Sequence, residues 1–339
     1  MKITMKTDFE VNVFLLAAGL GTRLRPLTNK YPKPEVPFLN VPMGLYQFRY
    51  LEQLSVKSCV VNSFYLPERI ERIYATQAYF QDEILISNET GMILGSAGGL
   101  KKAAPLFKSD STILMMNADE VFFTENKNFL QQAYQQHRDH DNLATLVVIQ
   151  HPEAGKKFGG IWVQNHTVKN IGKSNTDSNL KTYHYIGVIF LNPKILSLIP
   201  ENKETNIFYD ILIHELKNNS VEIFNLETCD WYETGNGADY LTATAQVLAS
   251  FASSPSRAES FFKFVNLYDP SHLVQNSGGV SLISDALKIT PDALKTMEGK
   301  LRGFNVIGGS TNLTGLKALN KIENSILFDD QILNLRYFS

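Results

Sequence analysis

The sequence predicts an α/β fold built on a doubly wound, mainly parallel sheet, followed by a small C-terminal extension. Two observations carry this prediction. Short apolar runs alternate with amphipathic stretches through the first half of the chain, which is the strand–helix order of such sheets. Two of those runs lead directly into small or acidic residues, as expected where the carboxyl ends of parallel strands bind a ligand.

The elements follow in order along the chain. The expected strands of the first half cover residues 11–16, 58–62, 84–87, 112–116 and 143–149. The expected helices between them cover residues 45–54, 67–79, 97–107 and 127–139. From residue 159 the pattern changes to short strands separated by polar turns, at 160–164, 167–171 and 183–191. The predicted core ends with a helix at 206–216, a strand at 221–225 and a helix at 237–251.

The composition changes after this last helix. Residues 253–256 read Ser-Ser-Pro-Ser, which is typical of a linker, and residues 256–298 look partly helical. Residues 303–333 contain strand-like stretches with glycine, asparagine and aspartate turns. We therefore expect three parts, a large α/β domain at 1–251, a linking segment at 252–302 and a β-rich tail at 303–339.

Charge and cysteine content exclude several functional classes. The 339 residues are 44% hydrophobic and 19% charged, enough for a large domain and a smaller one, and the formal net charge is −2. This balance predicts neither nucleic-acid nor membrane binding, and no apolar run approaches the roughly 20 residues of a membrane-spanning helix. Cys59 and Cys229 have no metal or redox spacing, so we expect free thiols and a cytoplasmic location.

The most informative segment is VNVFLLAAGLGTRLRPLTNKYPKPEVPFLNVP, residues 11–42. An apolar run typical of a central parallel strand leads into a turn at Gly19 and Gly21, where the backbone can approach a ligand and present consecutive N–H groups. Arg23 and Lys33 add two cations beside this turn. Main-chain donors together with two cations suit a nucleoside triphosphate.

Three other interpretations of this segment fit less well. A dinucleotide-binding turn requires a third glycine where Leu24 stands. A P-loop requires Gly-Lys followed by Ser or Thr, whereas residues 21–23 read Gly-Thr-Arg. A secretory signal requires a basic start and an uninterrupted apolar core, which Asp8 and Glu10 do not allow.

This segment closely resembles the signature of the sugar-1-phosphate nucleotidyltransferases, or NDP-sugar pyrophosphorylases, roughly LAAG-x-G-T-R-L-x-PLT…PKP-x-x-P. The resemblance covers about residues 11–245. It implies a Rossmann-like sheet of the glycosyltransferase-A type and a reaction in which an NTP and a sugar 1-phosphate give an NDP-sugar and pyrophosphate. The tail faintly resembles the left-handed β-helix coils of several family branches. So few coils are not stable alone and must pack against the core or against a partner subunit. The tail is therefore a candidate homo-oligomer contact.

The resemblance assigns roles on the nucleotide side. Arg23 would bind the triphosphate and its developing negative charge, and Lys33 would bridge the two phosphates at the reacting centre. The backbone of the glycine turn and of the LGSAG segment would hold the nucleotide. These positions are Leu16, Ala17, Ala18, Gly19, Gly21, Thr22, Gly95, Ser96, Ala97 and Gly98. Taken alone, the LGSAG segment also reads as an ordinary helix start capped by Ser96.

Two carboxylates are expected to bind Mg²⁺. Asp119 follows the apolar run in MMNAD and matches the metal-binding aspartate of the family. Glu233 stands where the family motif W-x-D-x-G-T has its aspartate. Mg²⁺ takes one or two carboxylates together with phosphate oxygens, so this pair suits it. The extra methylene of Glu233 shifts its carboxylate, which makes it the less well matched ligand.

The resemblance points on the acceptor side to Gly160, Lys173, Tyr185 and Gly187. Lys173 would bind the sugar phosphate. The chain departs from the family here, because Gly172 replaces the glutamate of the E-K-P motif and Tyr185 replaces the asparagine of N-A-G. We interpret His184 as structural or sugar-facing rather than as a catalytic base.

Three functions remain open at this point. The LGSAGGL and VNSFYLPERI segments look most like those of mannose- or heptose-1-phosphate guanylyltransferases and N-acetylmuramate-1-phosphate uridylyltransferases, and we favour guanylyl transfer. A regulatory subunit that binds an NDP-sugar without turnover is the second, motivated by Gly172, Tyr185 and Glu233 and opposed by the intact signature. Transfer of UMP or CMP to N-acetylmuramate 1-phosphate or phosphocholine is the third.

Overall fold

The computed structural model describes residues 9–75, 83–175, 177–253, 255–287, 291–312, 319, 321–334 and 337–338. Within this part the chain forms two compact units. The first unit contains the described residues of 9–19, 47–75 and 83–231, and the second contains those of 20–46 and 232–339.

The described strands are numbered in chain order. They are β1 Glu10–Leu16, β2 Pro37–Phe38, β3 Val41–Pro42, β4 Ser55–Ser63, β5 Ile84–Asn88, β6 Thr112–Asn117, β7 Val121–Thr124, β8 Ala144–Ile149, β9 Gly160–Gln164, β10 Thr167–Gly172, β11 Lys181–Leu191, β12 Val221–Asn225, β13 Cys229–Tyr232, β14 Ser271–Asn276, β15 Gly279–Ser284, β16 Leu301–Ile307, β17 Ile322–Phe328 and β18 Gln331–Leu333.

The described α-helices are α1 Phe48–Leu51, α2 Pro67–Ala75, α3 Gly95–Ala103, α4 Phe129–Asp139, α5 Ile213–Glu215, α6 Gly237–Ser253, α7 Pro255–Val265 and α8 Pro291–Glu298. Short 3₁₀ turns occur at Thr22–Leu24, Leu27–Asn29, Lys33–Glu35, Met43–Leu45, Ala104–Leu106, Pro193–Leu198 and Leu216–Asn218. A π-helical turn, Ile207–Leu212, precedes α5. None of the helices in the described part of the chain combines the length and apolar character needed to cross a membrane.

The main sheet of the first unit has the strand order β5-β4-β1-β6-β11-β8-β12-β10-β9. The predicted α/β class is confirmed, but the sheet is mixed rather than mainly parallel. Strands β5, β4, β1 and β6 run parallel, whereas β11 is antiparallel to both β6 and β8. The reason is that His184, near the start of β11, pairs with Ile149 at the end of β8, so the returning chain enters the sheet from its carboxyl edge.

Burial explains the central strands and one wrong helix prediction. Val11, Val13 and Phe14 of β1 are fully buried, as expected for a strand covered on both faces. The helix predicted at 45–54 is instead a 3₁₀ turn followed by the four residues of α1. Seven of the ten residues 45–54 are buried, which leaves little of the polar face that a surface helix presents.

Other predicted elements are shifted. The helix expected at 67–79 is described to Ala75, and residues 76–79 lie outside the described residues. The helix expected at 206–216 begins as the π-helical turn. The expected linker at 253–256 is helical on both sides of Ser254, which lies outside the described residues. Pro255 is the first residue of α7, a position that proline favours.

The second unit contains a five-stranded sheet in the order β14-β15-β16-β17-β18. Its three middle strands are parallel, and its two edge pairs are antiparallel. Ser281, Asn305 and Ser325 lie side by side across the parallel strands. Asn305 Nδ2 donates to Ser281 Oγ at 3.1 Å, and Ser325 N donates to Asn305 Oδ1 at 3.2 Å, so this polar row fixes the register.

Residues 20–46, which include most of the signature segment, belong to this second unit. Tyr31 donates its hydroxyl hydrogen to Asp329 Oδ2 at 2.9 Å, and Asn40 Nδ2 donates to Ser271 Oγ at 3.1 Å. Tyr240 donates its hydroxyl hydrogen to the carbonyl of Pro37. Residues 20–46 therefore pack on helix α6 and on the C-terminal strands.

Candidate active site

The side-chain amide of the buried Asn62 anchors the turn that follows β1. Leu16 ends the strand, and the amides of Ala17 and Ala18 donate to Asn62 Oδ1 at 2.7 and 3.2 Å. These two main-chain donors are therefore engaged by the protein itself. Gly19 is exposed, and a Cβ placed on it would contact nothing within 4 Å, so packing does not explain the absence of a side chain there.

Asn62 extends this anchor to the LGSAG segment through Glu89. Asn62 Nδ2 donates to Glu89 Oε1 at 2.7 Å, and the amide of Leu94 donates to Glu89 Oε2 at 2.7 Å. Both side chains are 2% exposed. Neither residue was predicted to have a role, although Asn62 lies near the end of β4 and Glu89 directly follows β5. Together they link the two segments predicted to hold the nucleotide.

The small residues of the LGSAG segment leave room for the main chain at Thr205, which packs directly against them. A Cβ on Gly95 would lie 2.7 Å from the carbonyl oxygen of Thr205. The amides of Ala97 and Gly98 donate to that same oxygen at 2.9 and 3.3 Å. Ser96 does not cap α3, as its sequence position suggested, because its Oγ accepts a hydrogen bond from the amide of Ile207 at 2.8 Å.

Gly21 shapes the signature turn of the second unit. It adopts φ +61°, and its carbonyl accepts a hydrogen bond from Thr28 Oγ1 at 2.8 Å. A Cβ on Gly21 would lie 3.0 Å from Thr28 Cγ2 and 3.2 Å from Lys33 Cβ. Glycine therefore lets the turn close on Thr28 and Lys33. Thr22 and Arg23 are exposed, whereas Lys33 is buried.

Arg23 and Glu233 lie together beside Gly235. A Cβ on Gly235 would lie 2.9 Å from both terminal nitrogens of Arg23, and it would also collide with Glu233 Oε1. The amide of Gly235 donates to that carboxylate oxygen at 2.5 Å. The predicted second metal ligand thus already accepts a hydrogen bond from the main chain.

Asp119 emerges at the carboxyl edge beside the β1 turn. Strands β1 and β6 pair in parallel up to Leu16 and Asn117, and the amide of Ala118 donates to the carbonyl of Leu16 at 3.0 Å. Residues 17–19 and the half-buried Asp119 therefore leave adjacent strands at the same edge of the sheet. The structure brings these predicted residues together.

Glu120 is a second carboxylate at this edge, and the sequence analysis did not identify it. Its Oε2 accepts a hydrogen bond from Trp231 Nε1 at 2.7 Å, and its Oε1 accepts one from Asn117 Nδ2 at 3.2 Å. Gly187, at φ +78°, contacts it, because a Cβ there would collide with Glu120 Cγ.

The predicted acceptor residues differ in exposure. A Cβ on Gly160 would lie 2.8 Å from the Trp162 ring, so this glycine is required by packing. Lys173 is exposed. The Tyr185 hydroxyl is buried and has no hydrogen-bond partner among the described residues, and its ring meets Phe208 edge-on at 4.9 Å. Burial raises the pKa of Tyr185 well above its ordinary value.

Four rings form an aromatic cluster next to Glu120, namely His151, Phe158, His184 and Trp231. The centroids of His184 and Trp231 are 4.3 Å apart, and Phe158 lies 5.0 Å from His184. Neither ring nitrogen of His184 has a hydrogen-bond partner in the described part of the chain. Burial lowers the pKa of His184 to about 4, so its imidazole is neutral at pH 7.

The arrangement agrees with a comparison against known protein families. The sequence model of the nucleotidyl transferase family matches residues 12–250, more than half of the chain. The chain belongs to this family. The match contains the signature turn, Asp119, Glu120 and Glu233, and it ends within α6.

Curated relatives of this chain include enzymes named for different substrates. Mannose-1-phosphate guanyltransferase 2 of Candida glabrata is 32% identical over 251 residues, covering 70% of this chain and 65% of the relative. UTP–glucose-1-phosphate uridylyltransferase of Synechocystis is 28% identical over 254 residues, covering 70% and 64%. The chain thus spans slightly less than two thirds of the length of these relatives.

Solved structures support the fold of this chain. The inositol-1-phosphate CTP transferase of T. maritima matches with a TM-score of 0.58 at 19% identity, covering 72% of this chain and 98% of that one. HddC of Yersinia pseudotuberculosis, in complex with GMP-PN, matches with a TM-score of 0.55 at 19% identity, covering 70% and 99%.

The carboxylate of Asp119 suits a hard cation that takes few protein ligands. The described residues contain no group of three or more histidine, cysteine, aspartate or glutamate side chains able to hold a metal. Mg²⁺ usually binds through one or two carboxylates and keeps waters or substrate phosphates as its other ligands. Asp119 therefore fits Mg²⁺ that arrives with a triphosphate.

Replacing Glu89 with alanine tests the anchor between the two nucleotide segments. The change leaves the Asn62 amide and the Leu94 N–H without their buried acceptor, so we expect a loss of about 2 kcal/mol in the free energy of unfolding. We also expect the KM for NTP to rise at least about tenfold, because both segments lose their alignment. Glu83→Ala is the matched control, since Glu83 is exposed and precedes the same strand. Equal effects in both variants would contradict the anchor.

His184 is expected to make the fold sensitive to acid. Its pKa is about 4 in the folded chain, against an ordinary value of 6.5, so the unfolded chain takes up the proton first as the pH falls. The stability due to neutral His184 is complete above pH 6.5 and is lost towards pH 4, by roughly 2–3 kcal/mol. Urea unfolding of His184→Phe should show a smaller loss over this range than the wild type. The exposed His214→Phe should match the wild type.

Proposed function

We propose that this chain transfers a nucleoside monophosphate from an NTP to a sugar 1-phosphate, giving an NDP-sugar and pyrophosphate. The observation that carries the proposal is the parallel pairing of β1 and β6, which brings residues 17–19 and Asp119 out side by side at the carboxyl edge of the sheet. Doubly wound sheets bind their ligands at this edge, where the strand order reverses. The order β4-β1-β6 contains such a reversal.

The reaction needs no protein nucleophile. An oxygen of the sugar phosphate attacks the α-phosphorus of the NTP, the bond to the β-phosphate oxygen breaks, and pyrophosphate leaves. Catalysis of this kind depends on positioning and on stabilisation of charge. Arg23 stabilises charge on the triphosphate, Lys33 bridges the reacting phosphates, and Lys173 binds the sugar phosphate. Asp119 and Glu233 would hold Mg²⁺, whose charge would screen the two anions from each other.

We favour GTP and mannose 1-phosphate, or a related heptose 1-phosphate, as substrates. The support is the 30–32% identity to several yeast and fungal mannose-1-phosphate guanyltransferases, against 28% to the uridylyltransferase. UMP or CMP transfer to N-acetylmuramate 1-phosphate or phosphocholine is the alternative within the family. A cytoplasmic location belongs to the same proposal and agrees with the free thiol of the buried Cys59.

The position of Glu233 supports a second candidate, a regulatory subunit that binds an NDP-sugar without turnover. One oxygen of this carboxylate accepts a hydrogen bond from the amide of Gly235, so it is partly withdrawn from metal binding. This arrangement fits a site that retains a nucleotide but reacts slowly.

The C-terminal sheet is proposed to be a rudimentary β-helix that mediates homo-oligomer formation. Its support is the parallel stacking of β15, β16 and β17 with aligned polar residues at Ser281, Asn305 and Ser325. Sedimentation of the intact protein tests this, and a monomer at micromolar concentration would exclude the oligomer.

Pyrophosphate release decides between the main candidates. Four NTPs should be tested against mannose 1-phosphate, glucose 1-phosphate, N-acetylmuramate 1-phosphate and phosphocholine, each with Mg²⁺. One strongly preferred pair would support the transferase and identify both substrates. No release from any pair, together with calorimetric binding of an NDP-sugar to the folded protein, would support the regulatory subunit.

A further inference from the structure

We propose that the Tyr209 hydroxyl donates a hydrogen bond to the phosphate of the acceptor, and that Ser96 is the positioning residue that holds Tyr209 in place. The side chain of Ser96 therefore acts on acceptor binding, although its segment resembles the one that contacts the nucleotide. This inference rests on the proposed function. All of the residues involved belong to the first unit.

Tyr209 lies beside two glycines of the acceptor side. A Cβ placed on Gly159 would lie 3.8 Å from the Tyr209 hydroxyl oxygen and 3.7 Å from the carbonyl oxygen of Gly172. A Cβ on Gly172 would contact nothing within 4 Å, so the space next to this glycine is open. The next residue is Lys173, which is expected to bind the acceptor phosphate. The Tyr209 hydroxyl therefore lies near the main chain that leads to this lysine.

The exposure of Tyr209 suits a ligand contact. Its side chain is 51% exposed, although it belongs to the π-helical turn Ile207–Leu212. Ile207 and Ile211 of the same turn are buried, so the turn packs its aliphatic side chains in the core and leaves the phenol accessible. A tyrosine hydroxyl can donate one hydrogen bond, and π-helical turns occur frequently at functional sites.

Ser96 fixes the start of this turn. Its Oγ accepts a hydrogen bond from the amide of Ile207 at 2.8 Å. Just before the turn, the amide of Thr205 donates to the carbonyl of Leu94 at 2.9 Å. The LGSAG segment therefore determines where the turn begins. The nucleotide contacts expected of this segment come from its backbone, so the Ser96 side chain has a separate task.

The rest of the turn is fixed by its own cap and by β11. Asn206 Oδ1 accepts hydrogen bonds from the amides of Phe208 and Tyr209 at 2.9 and 3.1 Å. The Phe208 ring meets Tyr185 of β11 edge-on, with centroids 4.9 Å apart. These contacts hold the backbone of Tyr209 before any ligand binds. A preorganised group loses little entropy on binding, as expected of a residue that determines specificity.

Tyr209→Phe removes only the hydroxyl group and tests the contact by kinetics with the pair that the pyrophosphate assay prefers. We expect the KM for the sugar 1-phosphate to rise about three- to tenfold, the effect of one hydrogen bond, with the KM for NTP changed by less than about twofold. Tyr134→Phe is the matched control and should change neither KM, because Tyr134 packs against Phe9, which precedes β1 at the opposite edge of the sheet. An unchanged KM for the sugar 1-phosphate in Tyr209→Phe would overturn the proposal.

Ser96→Ala tests the positioning role. We expect the KM for the sugar 1-phosphate to rise about threefold or more, with the KM for NTP changed by less than about twofold. The double variant with Tyr209→Phe should show less than the product of the two single effects, because Ser96 acts through Tyr209. Ser197→Ala is the control, since its hydroxyl also donates to a main-chain carbonyl, that of Lys194. A rise in the KM for NTP alone would make Ser96 a nucleotide residue and would refute this role.

A binding measurement separates this inference from the proposed function. Calorimetric titration without Mg²⁺ or pyrophosphate needs no turnover, and its probe is the NDP-sugar of the preferred pair, or GDP-mannose if no pair reacts. We expect Tyr209→Phe to bind this probe about three- to tenfold more weakly than the wild type and to bind GTP equally well. Inactivity of the wild type with every pair would defeat the proposed function alone. Equal affinities of the two proteins for the NDP-sugar, or no binding by either, would defeat the inference.

Discussion

Arg23→Ala is expected to lower kcat by about 100- to 1000-fold while the protein stays folded, because a single well-placed charge donor at a reacting phosphate has an effect of this size. The side chain is exposed and its guanidinium lies over Gly235, so its loss removes little packing. Steady-state pyrophosphate release measures the effect, and circular dichroism confirms the fold.

Arg25 provides the matched control for this prediction. It is an exposed arginine two residues further along the same loop, so Arg25→Ala makes the same chemical change without removing the group beside Gly235. We expect Arg25→Ala to retain kcat within about twofold. A rate near that of the wild type for Arg23→Ala would remove Arg23 from the mechanism.

Asp119→Asn is expected to abolish activation by Mg²⁺ and to reduce turnover by at least about 100-fold. The substitution keeps the size of the side chain and removes its charge, and a neutral amide is a much weaker ligand for a hard cation. A titration of pyrophosphate release against Mg²⁺, at fixed NTP and sugar 1-phosphate, gives the measurement.

Asp110→Asn is the matched control. It also removes one negative charge, so it shows whether the effect depends on the position of Asp119. Asp110 is exposed and precedes β6, whereas Asp119 follows the same strand, so the two aspartates lie at opposite edges of the sheet. Asp110→Asn should leave the Mg²⁺ titration unchanged. An identical titration for wild type and Asp119→Asn would show that the metal is held elsewhere.

The features of this site that can be predicted from the sequence are those formed by residues close together in the chain. The apolar run of β1 and the turn that follows it could be read from adjacent residues, and so could Asp119 after β6. Both predictions required only the rule that the carboxyl ends of parallel strands lie at the same edge of a sheet. The strand pairing of Leu16 with Asn117 confirms that edge.

The features that escaped prediction join residues distant in sequence. Asn62 contacts Ala17 across 45 positions and Glu89 across 27, and Trp231 reaches Glu120 across 111. No local pattern distinguishes a glutamate that will be buried against such partners from an exposed one. The orientation of β11 was missed for a related reason, since it depends on where the chain leaves β8 and re-enters the sheet.

The packing of residues 20–46 on the C-terminal strands has a consequence for how the protein is made. Tyr31 bonds to Asp329, 298 positions later, and Asn40 bonds to Ser271, 231 positions later. The ribosome synthesises the chain from its amino end. Residues 20–46 therefore cannot form these hydrogen bonds until almost the whole chain has been made. The segment that carries Arg23 and Lys33 is therefore synthesised among the first parts of the protein and becomes ordered among the last. Its long loop closure makes that final step slow.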